Sequence, residues 1–262
     1  MTRFLTFAMV APIASFGALA VGERREGWDR PARSGVLGLV AACLGLTRED
    51  QAAQSALSSQ YGLAMLCHAP GESMTDYHTT QTAPARRGWR PATRAEELSG
   101  PAENLATILS RRDYRTGAWH LGALWAQVEA PRWTLEAIAA AMAAPAFTPS
   151  LGRRSCPLGL PLAPVLVSGE TAAAVLLDRH DTGPEARLMV RGGSFREQLA
   201  GRVRVRGGRP LLVLDTADEA RQGGGARVLR REVRRDQPLS RTRWQFALRE
   251  EAVLVPGAKG EA

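Results

Sequence analysis

Lysine is almost missing from this sequence. Of 34 basic residues, 33 are arginine, and the one lysine is Lys259. Cysteine is scarce as well. Cys43, Cys67 and Cys156 are odd in number and far apart, which argues against a disulfide framework and fits a reducing compartment. Cys67, His68 and His78 lie near one another in sequence, but no CxxC or HxxxH pair supports them, so neither a metal nor a cofactor is expected. No segment is long enough and apolar enough to span a membrane. The apolar run from Phe4 to Ala20 follows Arg3 and ends in Ala18-Leu19-Ala20, in the manner of a secretory signal. Pro12 and Gly17 interrupt it, and Phe4, Leu5, Phe7, Met9 and Val10 read better as a buried strand. The expectation is a cytoplasmic protein without a membrane partner. Intact Met1 or Thr2 at the mature N-terminus would dispose of the alternative, a secreted basic protein.

What the sequence has in excess is positive charge. It carries a net +8 and a pI near 10.5 over 262 residues. Such a balance calls for a polyanionic partner, nucleic acid first. The excess is unevenly placed. Residues 1–186 hold 17 Arg and 17 acidic residues, whereas residues 187–249 hold 16 Arg against 6 acidic residues. A GC-rich genome accounts for arginine in place of lysine, but not for the clustering.

Hydrophobic patterning predicts a strand at Thr2–Val10, then a Pro- and Gly-containing turn. A helix follows from about Gly35 to Leu46, with Ser34 as its cap, and a short helix over Glu49–Ser58. Gly35, Gly38, Ala42 and Gly45 recur at spacings of three and four, which suggests that a sheet or another backbone approaches that side closely. Tyr61–His68 and Trp119–Val128 read as strands, Thr134–Ala144 as a helix, and Pro164–Val167 as a fourth strand. Residues 70–112 are polar, basic and without period, and such a stretch inside a domain is usually functional or disordered. The order strand, helix, strand, strand, helix, strand is that of an α+β, ferredoxin-like or RNA-recognition-motif (βαββαβ) domain, with a long insertion before the third strand. Residues 1–168 form this unit. Residues 169–262 form a basic, β-rich extension, with strand-like pieces at Arg187–Arg191, Arg202–Arg206 and Leu211–Asp215.

Several residues suit recognition of RNA. Arg33 and Ser34 open a predicted helix, where free N–H groups and the helix dipole favour a phosphate; they read equally as a surface charge and a plain cap. Tyr77 offers a ring for stacking and His78 an imidazole for hydrogen bonding, or for activating a ribose hydroxyl. Arg153 and Arg154 lie in a loop bounded by Pro149 and Pro157, one of them suited to RNA and the other to a structural bond. Arg111 and Arg112 stand at the base of the insertion. Trp89, among Arg86, Arg87, Arg90 and Arg94, suits a stacking platform or an anchor to a protein neighbour.

Four segments together resemble the CasD family of type I-E CRISPR Cascade subunits, a branch of the repeat-associated RNA-binding superfamily. They are APIASFG at 11–17, RPARSGVLGLVAACLGL at 30–46, DYHT at 76–79 and LGRRSCPL at 151–158, with a fainter echo in RTRWQFALRE at 241–250. Ala11 and Phe16 stand where Gly and Trp are usual, and Ala32 where Thr is common. The resemblance implies a non-catalytic subunit that binds the 5′ handle of the CRISPR RNA and caps the backbone filament. It also implies contact with the backbone subunits and the large subunit, and so with target DNA indirectly. The insertion at about 80–112 would be the family's thumb. The alternative is a metal-independent endoribonuclease of the same superfamily, with His78 as base and Arg153 or Tyr77 assisting.

Overall fold

A computed structural model describes residues 1–17, 22–84, 88–100, 104–185 and 210–257. Its centre is one sheet of nine described strands, with helices packed on both faces. The described strands are β1 (Thr2–Ala14), β2 (Arg24–Arg25), β3 (Tyr61–Ala69), β4 (Glu72–Thr82), β5 (Ala106–Ala126), β6 (Val165–Gly169), β7 (Leu211–Asp215), β8 (Arg227–Ser240) and β9 (Gln245–Val255). The order across the sheet is β6-β1-β5-β3-β7-β9-β8, antiparallel throughout, with β2 and β4 attached to β5. The principal helices are α1 (Arg33–Cys43), α2 (Gln51–Gln60), α3 (Arg94–Glu97), α4 (Leu135–Ala143) and α5 (Ala172–Thr182).

Both faces of the sheet are covered, which explains why β1 is apolar without alternation. Leu5, Phe7 and Met9 point to the side closed by α1, α2 and α4, through Val36, Val40, Leu57, Ile138 and Met142. Phe4, Ala8 and Val10 point to the other side, closed by Ala172, Val175 and Leu176 of α5. Thr134 caps α4 by accepting from the Ala137 N–H at 3.2 Å.

Several elements depart from expectation. The strand at the N-terminus runs on to Ala14, through the expected turn. Helix α1 begins at Arg33 with Ala32 in the cap position, so Ser34 is not its cap. Gly45 lies beyond the helix at φ +75°, a left-handed end that glycine supplies without strain. Another backbone meets the small-residue side of α1 only at its C-terminal end, where Phe147 N–H donates to the Ala42 carbonyl at 3.1 Å and Ala146 N–H to the Cys43 carbonyl at 3.0 Å; a side chain on Gly35 would have nothing within 4 Å. Residues 172–182 form a helix where only strand-like pieces were expected. Leu211–Asp215 is a strand as expected, but the pieces at 187–191 and 202–206 lie outside the described residues. The C-terminal strands β7, β9 and β8 lengthen the same sheet beyond β3.

Residues 72–82 and 106–116 are regular. They pair from Glu72↔Thr116 to Thr82↔Ala106 as a long ribbon projecting from the sheet. Almost all of β4 is exposed. A ribbon that buries neither face needs no apolar alternation, so its sequence carries no period.

Candidate nucleic-acid interface

Arginines converge where the ribbon leaves the sheet. Strand β2 runs parallel to β5, setting Arg24 beside Arg111 and Arg25 beside Arg112. The Arg111 N–H bonds the Glu23 carbonyl at 3.0 Å. Across the ribbon, Arg111 pairs with Tyr77 and Arg112 with Asp76. Side chains alternate along a strand, so Tyr77 and His78 face opposite sides and do not form a joint ring-and-imidazole site. Tyr77 is 54% exposed, with the Arg111 guanidinium 5.9 Å from its ring centre. His78 shares its face with Asp76, whose carboxylate its Nε2 contacts, and with Arg112.

The Leu151–Pro157 loop is pinned against this base. Ser15 N–H donates to the Leu151 carbonyl at 2.9 Å, and the Leu151 N–H to the Cys156 carbonyl at 2.9 Å. Gly152 sits at φ +95°, where a Cβ would fall 1.8 Å from the Ser15 carbonyl oxygen. No residue but glycine fits there without movement. The two loop arginines then divide. Arg153 lies 4.6 Å over the Tyr114 ring and donates to the Asp113 carbonyl at 3.4 Å. Arg154 is exposed and forms no ion pair with any described residue. Trp89 is half-buried at the far end of the insertion, beside exposed Arg90, while Arg86 and Arg87 lie outside the described residues.

The phosphate site expected at the start of α1 is already occupied by protein. Asp236 Oδ2 accepts from the Arg33 N–H at 2.8 Å. The Arg33 side chain is buried; it donates to the carbonyls of Ser58 and Tyr61 at 2.9 and 2.8 Å and lies 3.2 Å from the Asp215 carboxylate. Ser34 contributes only its carbonyl, bonded by Arg241 at 2.7 Å. Arg33 is therefore engaged inside the fold, while Ser34 is half-buried. Arg33 belongs to a buried ionic network that sequence reasoning missed. In it Arg249 bonds Asp236, Asp215 and Glu251, while Arg30 bonds Glu232 and Glu251 and Arg234 reaches Glu251 at 3.4 Å. The partners of Arg30 and Arg33 in this network lie about 180 to 220 residues away, too distant for any local signal.

The same network absorbs part of the C-terminal charge. Arg234 is buried, Arg230 contacts Glu232, and Arg231 bonds Glu219 at 3.0 Å. Of the four arginines at 230–235, Arg235 alone is exposed without a carboxylate among the described residues.

A groove of about 1300 Å³ opens between α1 and the β8–β9 hairpin. Its lining draws on Ser15–Gly17, on Gly35, Gly38 and Ala42, on Ser150–Gly152 and on the hairpin residues 241–248. Those are parts of the first, second and fourth segments singled out from the sequence, together with the faint fifth. The third, DYHT, stands on the ribbon. The segments converge because β1, α1 and the loop meet at one end of the sheet.

A family model described as CRISPR-associated protein (Cas_Cas5) matches residues 4–250. The chain belongs to this family. It is 32% identical over 170 residues to the CRISPR system Cascade subunit CasD of Escherichia coli (strain K12), an alignment covering 62% of this chain and 70% of that one. Two solved structures share the fold. A chain of a CRISPR RNA-guided surveillance complex aligns with a TM-score of 0.57 at 22% identity, over 97% of this chain and 91% of that one. A crystal structure of a Cas protein aligns with a TM-score of 0.54 at 21% identity, over 97% and 95%. Among the described residues, no group of three or more His, Cys, Asp or Glu side chains could hold a metal ion. No described helix is long and apolar enough to cross a membrane.

Proposed function

We propose that this chain is a cytoplasmic subunit of a Cascade-type CRISPR surveillance complex, in which it holds the 5′ handle of the guide RNA without cutting it. The observation that carries the reading is the placement of Arg24 and Arg111 on the face of exposed Tyr77, with Arg25 and Arg112 on the opposite face of the ribbon and exposed Arg154 on the neighbouring loop. Guanidinium groups bind phosphate through two donors and an exposed ring stacks on a base. Arg153 positions the loop that presents Arg154. The strand order β6-β1-β5-β3, with α1 and α4 on one face, supports a ferredoxin-like core over residues 1–168. The β4–β5 ribbon acts as the thumb, reaching toward a neighbouring backbone subunit, with Trp89 at its tip. Residues 169–262 extend the sheet, and the chain caps one end of the filament beside the large subunit.

Fluorescence anisotropy with handle RNA tests this. Replacing Arg111 and Arg154 with Ala removes two charge-assisted contacts of roughly 1.5–3 kcal/mol each, and affinity should fall well over tenfold. Unchanged affinity in the folded variant rejects the assignment.

One observation favours a second reading, endoribonuclease activity: His78 is oriented by Asp76, and Arg112 stands opposite Asp76. A base, an orienting carboxylate and a cation are the parts such a cleavage needs. Metal-free cleavage of repeat RNA by the wild type, abolished in His78→Ala, would establish it; under the first reading RNA lengths stay the same.

A further inference from the structure

We propose that the groove between α1 and the β8–β9 hairpin seats a protein segment from another subunit, one that carries aliphatic side chains and a carboxylate. This rests on membership of the complex, but not on where the RNA lies.

Arg241 is a half-buried cation that forms no ion pair with a described residue. Its guanidinium donates to the Ser34 carbonyl at 2.7 Å and lies 5.8 Å from the Phe246 ring, while its Nε is buried without a partner. Burial, and then the charge of Arg48, which lies over the neighbouring Trp244 ring, hold the Arg241 pKa below its ordinary value. The groove's own carboxylates do not relieve it. Asp236 is already held by the Arg33 N–H and the Arg249 guanidinium, and no ion pair joins Glu26 to Arg241. A buried charge left unpaired is unfavourable, and an incoming carboxylate would compensate it. Exposed Arg235 adds positive charge to the same rim.

The rest of the groove identifies the kind of partner. Val233, Leu239, Trp244 and Leu248 line it and are 58–60% exposed, a cluster of large apolar groups facing solvent. Three of the four are aliphatic, and the indole of Trp244 is stacked by Arg48 at 4.7 Å. Nucleic acid is recognised by free rings and phosphate contacts, whereas aliphatic groups around a desolvated charge pair are the anatomy of a protein interface. The glycines of α1 leave the wall low: nothing lies within 4 Å of a side chain at Gly35, and only Arg241 comes near one at Gly38. A side chain of the partner can lie there against the helix backbone.

The test uses the reconstituted, guide-loaded complex with p-benzoylphenylalanine in place of Leu239. Irradiation should join this position to one subunit, in a peptide containing Asp or Glu beside Leu, Ile or Val. Cross-linking to RNA, to a peptide without a carboxylate, or to nothing overturns the proposal. In parallel, the Leu239→Ser/Leu248→Ser variant should enter subunit-depleted complex at least about tenfold less well, with handle-RNA binding by the isolated chain kept within twofold. Arg241→Gln should reduce entry similarly. Normal entry of both folded variants also overturns it. Failure of the wild-type chain to enter the complex at all would instead reject the function proposed above.

Discussion

The carboxylate of Asp236 lies 2.8 Å from the backbone nitrogen of Arg33, so strand β8 supplies the N-terminal cap that α1 lacks in its own sequence. Helix starts expose N–H groups that need an acceptor and a favourable negative charge. Asp236 provides both, and Arg249 balances it through bonds of 2.8 and 2.9 Å.

Asp236→Ala should therefore destabilise the fold strongly. Removing one member of a buried pair leaves a cation uncompensated, at a cost of about 3–5 kcal/mol. Burial alone would raise the Asp236 pKa, but the hydrogen bond and charge of Arg249, the charge of Arg234 and the Arg33 N–H hold it below its ordinary value. The stabilisation is thus fully present above the unfolded value of about 3.9 and is lost as pH falls through the lower folded value. Urea unfolding of wild type and variant from pH 7 to pH 3 measures both effects; equal stability at pH 7 rules the cap out.

A second expectation concerns Gly152. An alanine there meets the Ser15 carbonyl oxygen and must adopt φ +95°, a backbone state that costs on the order of 1–3 kcal/mol. Gly17→Ala is the control, because nothing lies within 4 Å of its Cβ; it should stay within roughly 0.5 kcal/mol of wild type. Thermal unfolding of the pair should separate them. If Gly152→Ala melts like the control, the loop is not pinned to β1 as described.

Elements with a continuous apolar run were legible in the sequence, and those without a clear period were not. Strands β1 and β3 were readable from apolar runs, and helix α4 from its Ala-rich segment ahead of Pro145. The ribbon was not, because neither of its faces is buried. Helix α5 was missed because Ala172–Leu177 is apolar in a block and its polar residues follow in another, which gives no helical period. The arginines divide on similar grounds. Arg33 and Arg154 both sit next to small residues in Pro-flanked segments, and nothing local separates them. Asp236 and Asp215, more than 180 residues away, make one of them internal.

His120 lends itself to a pH measurement. It is fully buried, neither ring nitrogen has a partner among the described residues, and burial, aided by Arg30 and His68 against Asp29, pushes its pKa down to about 3. Between pH 6.5 and that value the unfolded chain binds a proton that the folded chain does not, so stability rises with pH across the window. Each such histidine adds a slope of up to about 1.4 kcal/mol per pH unit. His68, lowered to about 4 by burial and by His180, acts in the same direction. His120→Leu should remove one such slope and be at least as stable at pH 7, since it leaves no buried polar nitrogen without a partner. An unchanged slope in urea unfolding between pH 4 and 6 would mean that the imidazole is protonated inside the fold.

The last expectation separates arginines that reach solvent from those that are paired. Each phosphate neutralised on a single strand contributes about 0.7 to the log–log salt dependence of binding. Arg111, Arg112 and Arg154 stand at the ribbon base, and none of them is held in an ion pair with a described residue. Changing all three to Gln should flatten the slope for handle RNA by up to about 2 if each touches a phosphate. Arg230 and Arg231 offer the contrast. They belong to the segment with the largest positive excess, but their guanidinium groups are engaged by Glu232 and Glu219. Changing these two to Gln should leave the slope where it was, although the net charge falls by the same amount per residue. Anisotropy titrations from 50 to 300 mM salt compare the two variants directly. If the slope depends on total charge alone, both sets will flatten it in proportion to the arginines removed, and the ribbon base loses its claim to be the RNA site.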